Sequence, residues 1–171
     1  MIRARRRVPV YQAGDEALAD VEAITLRLEG GREQTFEIAR ELAVPDDPDA
    51  IYEAARTAHA RLAFWSYQAA RALRELQRGE REQRKLEAAT YLAARIVIER
   101  VRPKIQYVET DRVRASVDHD AAVGKKRDAV ENLRVHWKIL TAVADALDHR
   151  THLLRRLLAQ DRDSKVQGQT L

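Results

Sequence analysis

Asp145, His149 and His152 stand at i, i+4 and i+7, so a helix brings one carboxylate and two imidazoles towards one face. That donor set at that spacing can hold a metal ion. No second cluster completes it, and two His with one Asp make a poor site, so an exposed polar face is the reading adopted. Gly124-Lys125 is not a phosphate loop: His119 stands where the upstream Gly is needed, and Lys126 where Ser or Thr should follow. There is no His-Glu-x-x-His pair. The chain has no Cys, which removes thiol nucleophiles, thiolate metal sites and disulfides together. Nucleophile, base and orienting group cannot be assembled from what remains. The expectation is a protein that is not an enzyme and carries no cofactor.

Cations are the informative group. Arg95, Arg100, Arg102, Lys104, Arg112, Arg114, Lys125, Lys126 and Arg127 crowd one region, against Glu99, Glu109, Asp111, Asp118, Asp120 and Asp128. Such a cluster can neutralise phosphates without reading sequence. A solvated helix surface is the plainer alternative. Tyr107 lies among these residues and could stack on a base, as could Tyr91. The expected DNA-binding set is those cations with Tyr107. Arg71, Arg74, Arg78, Arg81, Arg84 and Lys85, on a mid-helix face, are the next candidates, and Arg3, Arg5, Arg6 and Arg7 form a basic arm over 1–13 that can gather phosphates.

Two long helices must position these groups. Val130, Leu133, Trp137, Leu140, Ala144, Leu147, Thr151, Leu154 and Leu158 recur in steps of three and four. That is the seam of a helix packed lengthwise on another. A matching seam runs through Ile51, Ala55, Ala58, Leu62, Trp65, Ala69, Ala72 and Leu76, breaks at Gly79 and Gln83, and recovers at Leu86, Ala93 and Val97. A Trp on such a seam belongs to the core before it belongs to a ligand. Pro45-Asp46-Asp47-Pro48 marks the start of the first helix, with Asp47 as cap and Pro48 in the first turn. Pro103 stops it, because the residue before a proline is pushed out of the helical region. A short helix over 110–117 and a second long helix over about 119–160, opened by Asp118 or Asp120, follow. The fold expected is mainly α: a long antiparallel, coiled-coil-like hairpin over 46–160, with a flexible tail over 161–171. The short connector predicts that Trp137 lies near Gly79–Leu86, with the small residue making room for the indole.

Residues 14–45 form a small N-terminal element. Ile24, Leu26 and Leu28 alternate, as do Phe36 and Ile38, which suits a β-hairpin; Leu18, Val21, Thr25 and Leu28 also fit a helix ended by Gly30. A loop of Gly30-Gly31-Arg32 sets Ile24 opposite Ile38 and Leu26 opposite Phe36, and this register favours the hairpin.

With 171 residues, a 34% charged composition and an Ala-rich apolar share, the chain suits one domain of long exposed helices. A net charge of +4 favours polyanionic partners weakly. No apolar run reaches membrane-spanning length, and Met1–Arg7 lacks a following apolar core, so a cytoplasmic location is expected. A straight helix over 48–102 would rise about 80 Å, more than one hairpin can cover, so a homo-oligomer is expected.

The order of these features resembles the UvsY family, the recombination mediators of tailed phages. Glu41-Leu42, Asp49 and Tyr52-Glu53-Ala54-Ala55 lead to Phe64-Trp65-Ser66-Tyr67; later come Asp118-His119-Asp120, His136-Trp137-Lys138-Ile139-Leu140, Ala146-Leu147-Asp148-His149-Arg150 and Leu153-Leu154. The resemblance covers Glu41 to Leu158. It implies a ring-like homo-oligomer in the host cytoplasm. Such a protein binds single-stranded DNA and loads a RecA-like recombinase onto strands coated by single-strand-binding protein. The family's Lys-x-Arg pair before Tyr-Tyr and a Gly-rich connector has no match here: Arg84-Lys85 precedes a single Tyr91, and no Gly follows. The DNA-binding set above therefore rests on charge clustering. A structural coiled-coil scaffold or assembly adaptor with no nucleic-acid role is the alternative.

Overall fold

The computed structural model of the chain describes residue 18 and residues 21–28, 30–101 and 110–168, with side chains to 164. The order is β1 (Ala23–Arg27), β2 (Glu33–Glu37), α1 (Ile38–Leu42), α2 (Pro48–Val101), α3 (Thr110–Asp118) and α4 (Ala121–Gly168). The class is mainly α, with an antiparallel two-stranded N-terminal hairpin. Among the described residues no helix is long and apolar enough to cross a membrane.

The helix starts follow from their side chains. Asp47 Oδ2 accepts from the Ala50 N–H at 2.9 Å. Asp120 Oδ1 accepts from the Ala122 and Val123 N–H groups at 2.8 and 3.0 Å. Both carboxylates satisfy amides that the first turn leaves orphaned. α4 continues past residue 160, in place of the flexible tail expected there. Asp161–Gln167 contains neither Pro nor Gly, so nothing there breaks the backbone ladder.

Two compact units divide the chain. The first comprises the chain up to Ala69 and from Lys138 onward. Its core draws Ile24 and Leu26 from β1, Ile38 from α1, Ala58, Trp65 and Ala69 from α2, and Leu140, Val143, Leu147 and Leu154 from α4, all buried. Leu62 is half-buried. α2 and α4 meet here through His59 and Arg155. Phe36 seats the hairpin on α2, its ring centroid 5.2 Å from that of Trp65 and 5.5 Å from that of Phe64. Arg150 on α4 is buried and donates from Nε to the Ala43 carbonyl at 2.8 Å, tying down the segment after α1.

The hairpin register differs from the expected one. Ile24 pairs with Phe36 and Leu26 with Gln34. Gly30 and Gly31 both take positive φ (87° and 80°), Gly31 N–H donates to the Leu28 carbonyl at 3.1 Å, and Leu28 N–H donates to the Arg32 carbonyl at 2.8 Å. Arg32 therefore leaves the loop and joins the ladder. The shift is of two residues, so Ile24 and Leu26 keep the buried face. Ile38 N–H still donates across to the Glu22 carbonyl at 2.9 Å, but the residue opens α1, a helix that the alternating pattern concealed.

The second unit is Ala70–Trp137. Glu80 meets Arg134 and Glu87 meets Arg127, so α2 and α4 run antiparallel in it. Its core holds Ala72, Leu76, Val113, Val117, Val123 and Val130. At Gly79 a Cβ would stand 3.0 Å from Leu133 Cδ1 and 3.3 Å from Val130 Cγ2. The small residue does make room, but for Leu133 and Val130 rather than for the Trp137 indole; Trp137 is half-buried. The upstream seam also fails to recover beyond Leu86: Ala93 and Val97 are exposed. No described residue covers the end of α2, where Leu92, Ile96, Val97 and Val101 are all exposed.

Candidate nucleic-acid interface

The cations of the second unit fall into two kinds. Some hold the helices together. Arg127 donates from Nε to Glu87 Oε1 at 2.8 Å and from Nη1 to Asp118 Oδ1 at 2.9 Å, joining α4 to α2 and α3. Lys126 Nζ reaches Glu82 Oε2 at 2.6 Å, and Arg134 reaches Glu80 at 3.1 Å. These bonds set the local acid–base balance. The Lys126 hydrogen bond, then that of Arg78, lowers the Glu82 carboxyl below its ordinary value. Arg127, then Gln83, does the same for Glu87. Glu87 and Asp118 in turn hold the Arg127 guanidinium above its usual value.

Other cations project into solvent. Arg74, Arg78, Arg81 and Lys85 on α2 are all exposed, and steps of four, three and four put them along one face. That face is turned away from Ala72, Leu76 and Gly79, which are buried. At about 1.5 Å per residue the row spans on the order of 16 Å. Of the acids of this stretch, Glu75 and Glu82 fall on one flank of the row, and Glu80 and Glu87 fall on the side that meets Arg134 and Arg127 of α4. Arg78 touches Glu82 at 3.1 Å and Arg71 touches Glu75 at 3.4 Å, both as exposed i,i+4 pairs. Such exposed pairs are screened by solvent and hold the guanidinium too weakly to keep it from a phosphate.

The described members of the expected cluster lie on α2, α3 and α4. Arg95 lies on α2 and is bonded to Glu99 at 2.7 Å. Arg100 is exposed near the end of α2, Arg112 and Arg114 are exposed on α3, and Lys125 is exposed on α4. Lys126 and Arg127 are taken up by the helix-to-helix bonds above. Arg102, Lys104 and Tyr107 lie outside the described residues, as do Arg3, Arg5, Arg6 and Arg7. What the fold does bring together is an open cleft of about 470 Å³ in the second unit. Arg114 and Arg127 from the expected set line it, joined by Arg84 and Tyr91. Charge clustering along the chain leaves Arg84 and Tyr91 out of the expected DNA-binding set; their i, i+7 spacing on the flank of the exposed row is the signal that points to them.

Asp145, His149 and His152 are exposed on α4, and His152 lies 3.7 Å from Asp148, its neighbour one turn back. Among the described residues no three His, Asp or Glu side chains gather to hold a metal ion.

No protein-family model matches this chain, and neither a curated protein nor a solved structure is significantly similar to it.

Proposed function

We propose that the chain is a non-enzymatic, single-stranded-DNA-binding recombination mediator. In this reading it acts as a homo-oligomer and helps load a RecA-like recombinase onto DNA coated with single-strand-binding protein. The observation that carries DNA binding is the exposed row Arg74, Arg78, Arg81 and Lys85, with Glu80 and Glu87 of the same stretch turned to α4. A linear row of cations suits a backbone that must be held whatever its bases. The mediator role comes from the resemblance to the UvsY family. Self-association is supported by the exposed apolar side chains Leu92, Ile96, Val97 and Val101 near the end of α2.

The test is a titration with single-stranded DNA at two salt concentrations, beside a mass measurement of the free protein. Tight binding at low salt that weakens steeply with salt supports the reading. A rival reading, a helical scaffold with no nucleic-acid role, draws on the carboxylates that occupy Arg95, Lys126 and Arg127. Absence of binding at low salt would favour the scaffold.

A further inference from the structure

The cleft in the second unit joins features that the exposed row lacks. Its interior includes the apolar Val117, which is buried, beside Ala88, and the half-buried Tyr91 ring lines it. Two guanidiniums on its lining are held by weak contacts within their own helices: Arg84 donates from Nε to the Glu80 carbonyl at 3.4 Å and stands 4.0 Å from the Glu80 carboxylate, and Arg114 stands 3.9 Å from Asp111. Their side chains are 74% and 71% exposed, so solvent screens what attraction remains. The third, Arg127, is fixed by Glu87 and Asp118 and forms a braced wall. The cleft thus offers an aromatic surface, an apolar patch and two exposed cations that can turn towards an anion, while the two carboxylates on its lining, Glu87 and Asp118, are both engaged by Arg127. Its volume lies in the range of small-molecule sites.

We propose that this cleft is a nucleotide subsite: one base stacks on Tyr91 while its phosphate lies between Arg84 and Arg114. The inference rests on the strand-binding reading above and adds to it a contact with a base. Phosphate contacts alone give affinity that depends on salt and ignores bases. A base stacked on Tyr91 adds affinity that salt hardly touches.

A thymidine oligomer and an abasic strand of equal length separate the two contributions, because the abasic strand keeps the phosphates and lacks the bases. The 171-residue chain is expected to bind the thymidine strand about tenfold more tightly than the abasic one. Tyr91→Ala should remove that preference and leave the salt slope unchanged, whereas Tyr91→Phe should keep it. Arg114→Gln should weaken both strands and lower the log–log salt slope by about 0.7. Circular dichroism melts matching the parent confirm that each variant folds. If Tyr91→Ala retains the preference, or the parent shows none, the subsite is wrong while strand binding stands. If the parent binds neither strand at low salt, the strand-binding reading fails and the subsite falls with it.

Discussion

The Trp65 indole Nε1–H donates to Glu41 Oε2 at 3.3 Å, and the same oxygen accepts from Arg61 Nη1 at 3.2 Å. One carboxylate from α1 thus satisfies the buried indole and pairs a neighbouring guanidinium on α2. Trp65 is 1% exposed and meets Phe36 and Phe64 edge-on. The N-terminal hairpin, α1 and α2 are locked at this point.

Trp65→Ala should therefore cost about 3–5 kcal/mol, the range for truncating a buried large aromatic. Trp137→Ala should cost clearly less, because Trp137 is only half-buried. Denaturant unfolding of the two variants checks the order. Equal destabilisation would mean that the two indoles are equally enclosed.

Gly79 sets a second test. Ala there gains about 1 kcal/mol of helix propensity. Its Cβ would press on Leu133 Cδ1 at 3.0 Å and on the stiff, buried Val130 at 3.3 Å. The two effects should nearly cancel, leaving Gly79→Ala within about 1 kcal/mol of the parent. Gly79→Leu should destabilise by more than about 1–3 kcal/mol, since overpacking alone reaches that range. Thermal melts of both variants distinguish this close approach from an unfilled gap, in which Leu would be tolerated.

Acid should loosen the second unit. Glu82 and Glu87 titrate lower when folded than when unfolded, because Lys126 and Arg127 hold their charged forms. Their contribution is fully present above about pH 4.3, the unfolded glutamate value, and is lost as the pH falls through the lowered folded values. His136 adds an earlier effect. Burial lowers it against the opposing pull of Glu75, so the unfolded state takes the proton first and stability declines below about pH 6.5. The melting temperature should be flat above pH 7, begin to decline below about 6.5 and decline further below about 4.3. Glu87→Gln should lower the neutral-pH melting temperature and flatten the acid limb. A pH series of circular dichroism melts measures both.

The parts of the fold that depend on short sequence intervals were legible. Val130, Leu140, Leu147 and Leu154 are buried where a seven-residue period put them. Asp47 and Asp120 cap helices because a carboxylate before an apolar run has few other uses. The hairpin was legible, but its register was not, since register depends on which residues take positive φ. Trp137 was placed by type and spacing, and neither reveals whether an indole is covered on every side. The candidate site was the least legible. Lys126 and Arg127 look like free cations in the chain, yet their partners Glu82 and Glu87 lie far away in sequence and meet them only after folding. The mid-helix cations were visible because they depend on helical spacing alone, but the chain grouped Arg71 and Arg84 with the row, and Arg71 is half-buried while Arg84 lines the cleft.

That row carries the central claim, and one measurement tests it most directly. Affinity for single-stranded DNA is measured across a salt series for the parent and for a variant carrying Arg74→Gln, Arg78→Gln, Arg81→Gln and Lys85→Gln. All four side chains are exposed, so the variant should melt close to the parent. The log–log slope falls by about 0.7 for each phosphate no longer neutralised, so the variant should bind weakly at low salt with a slope flatter by about 2–3. A variant that melts normally and binds with the parent's affinity and slope would contradict the account.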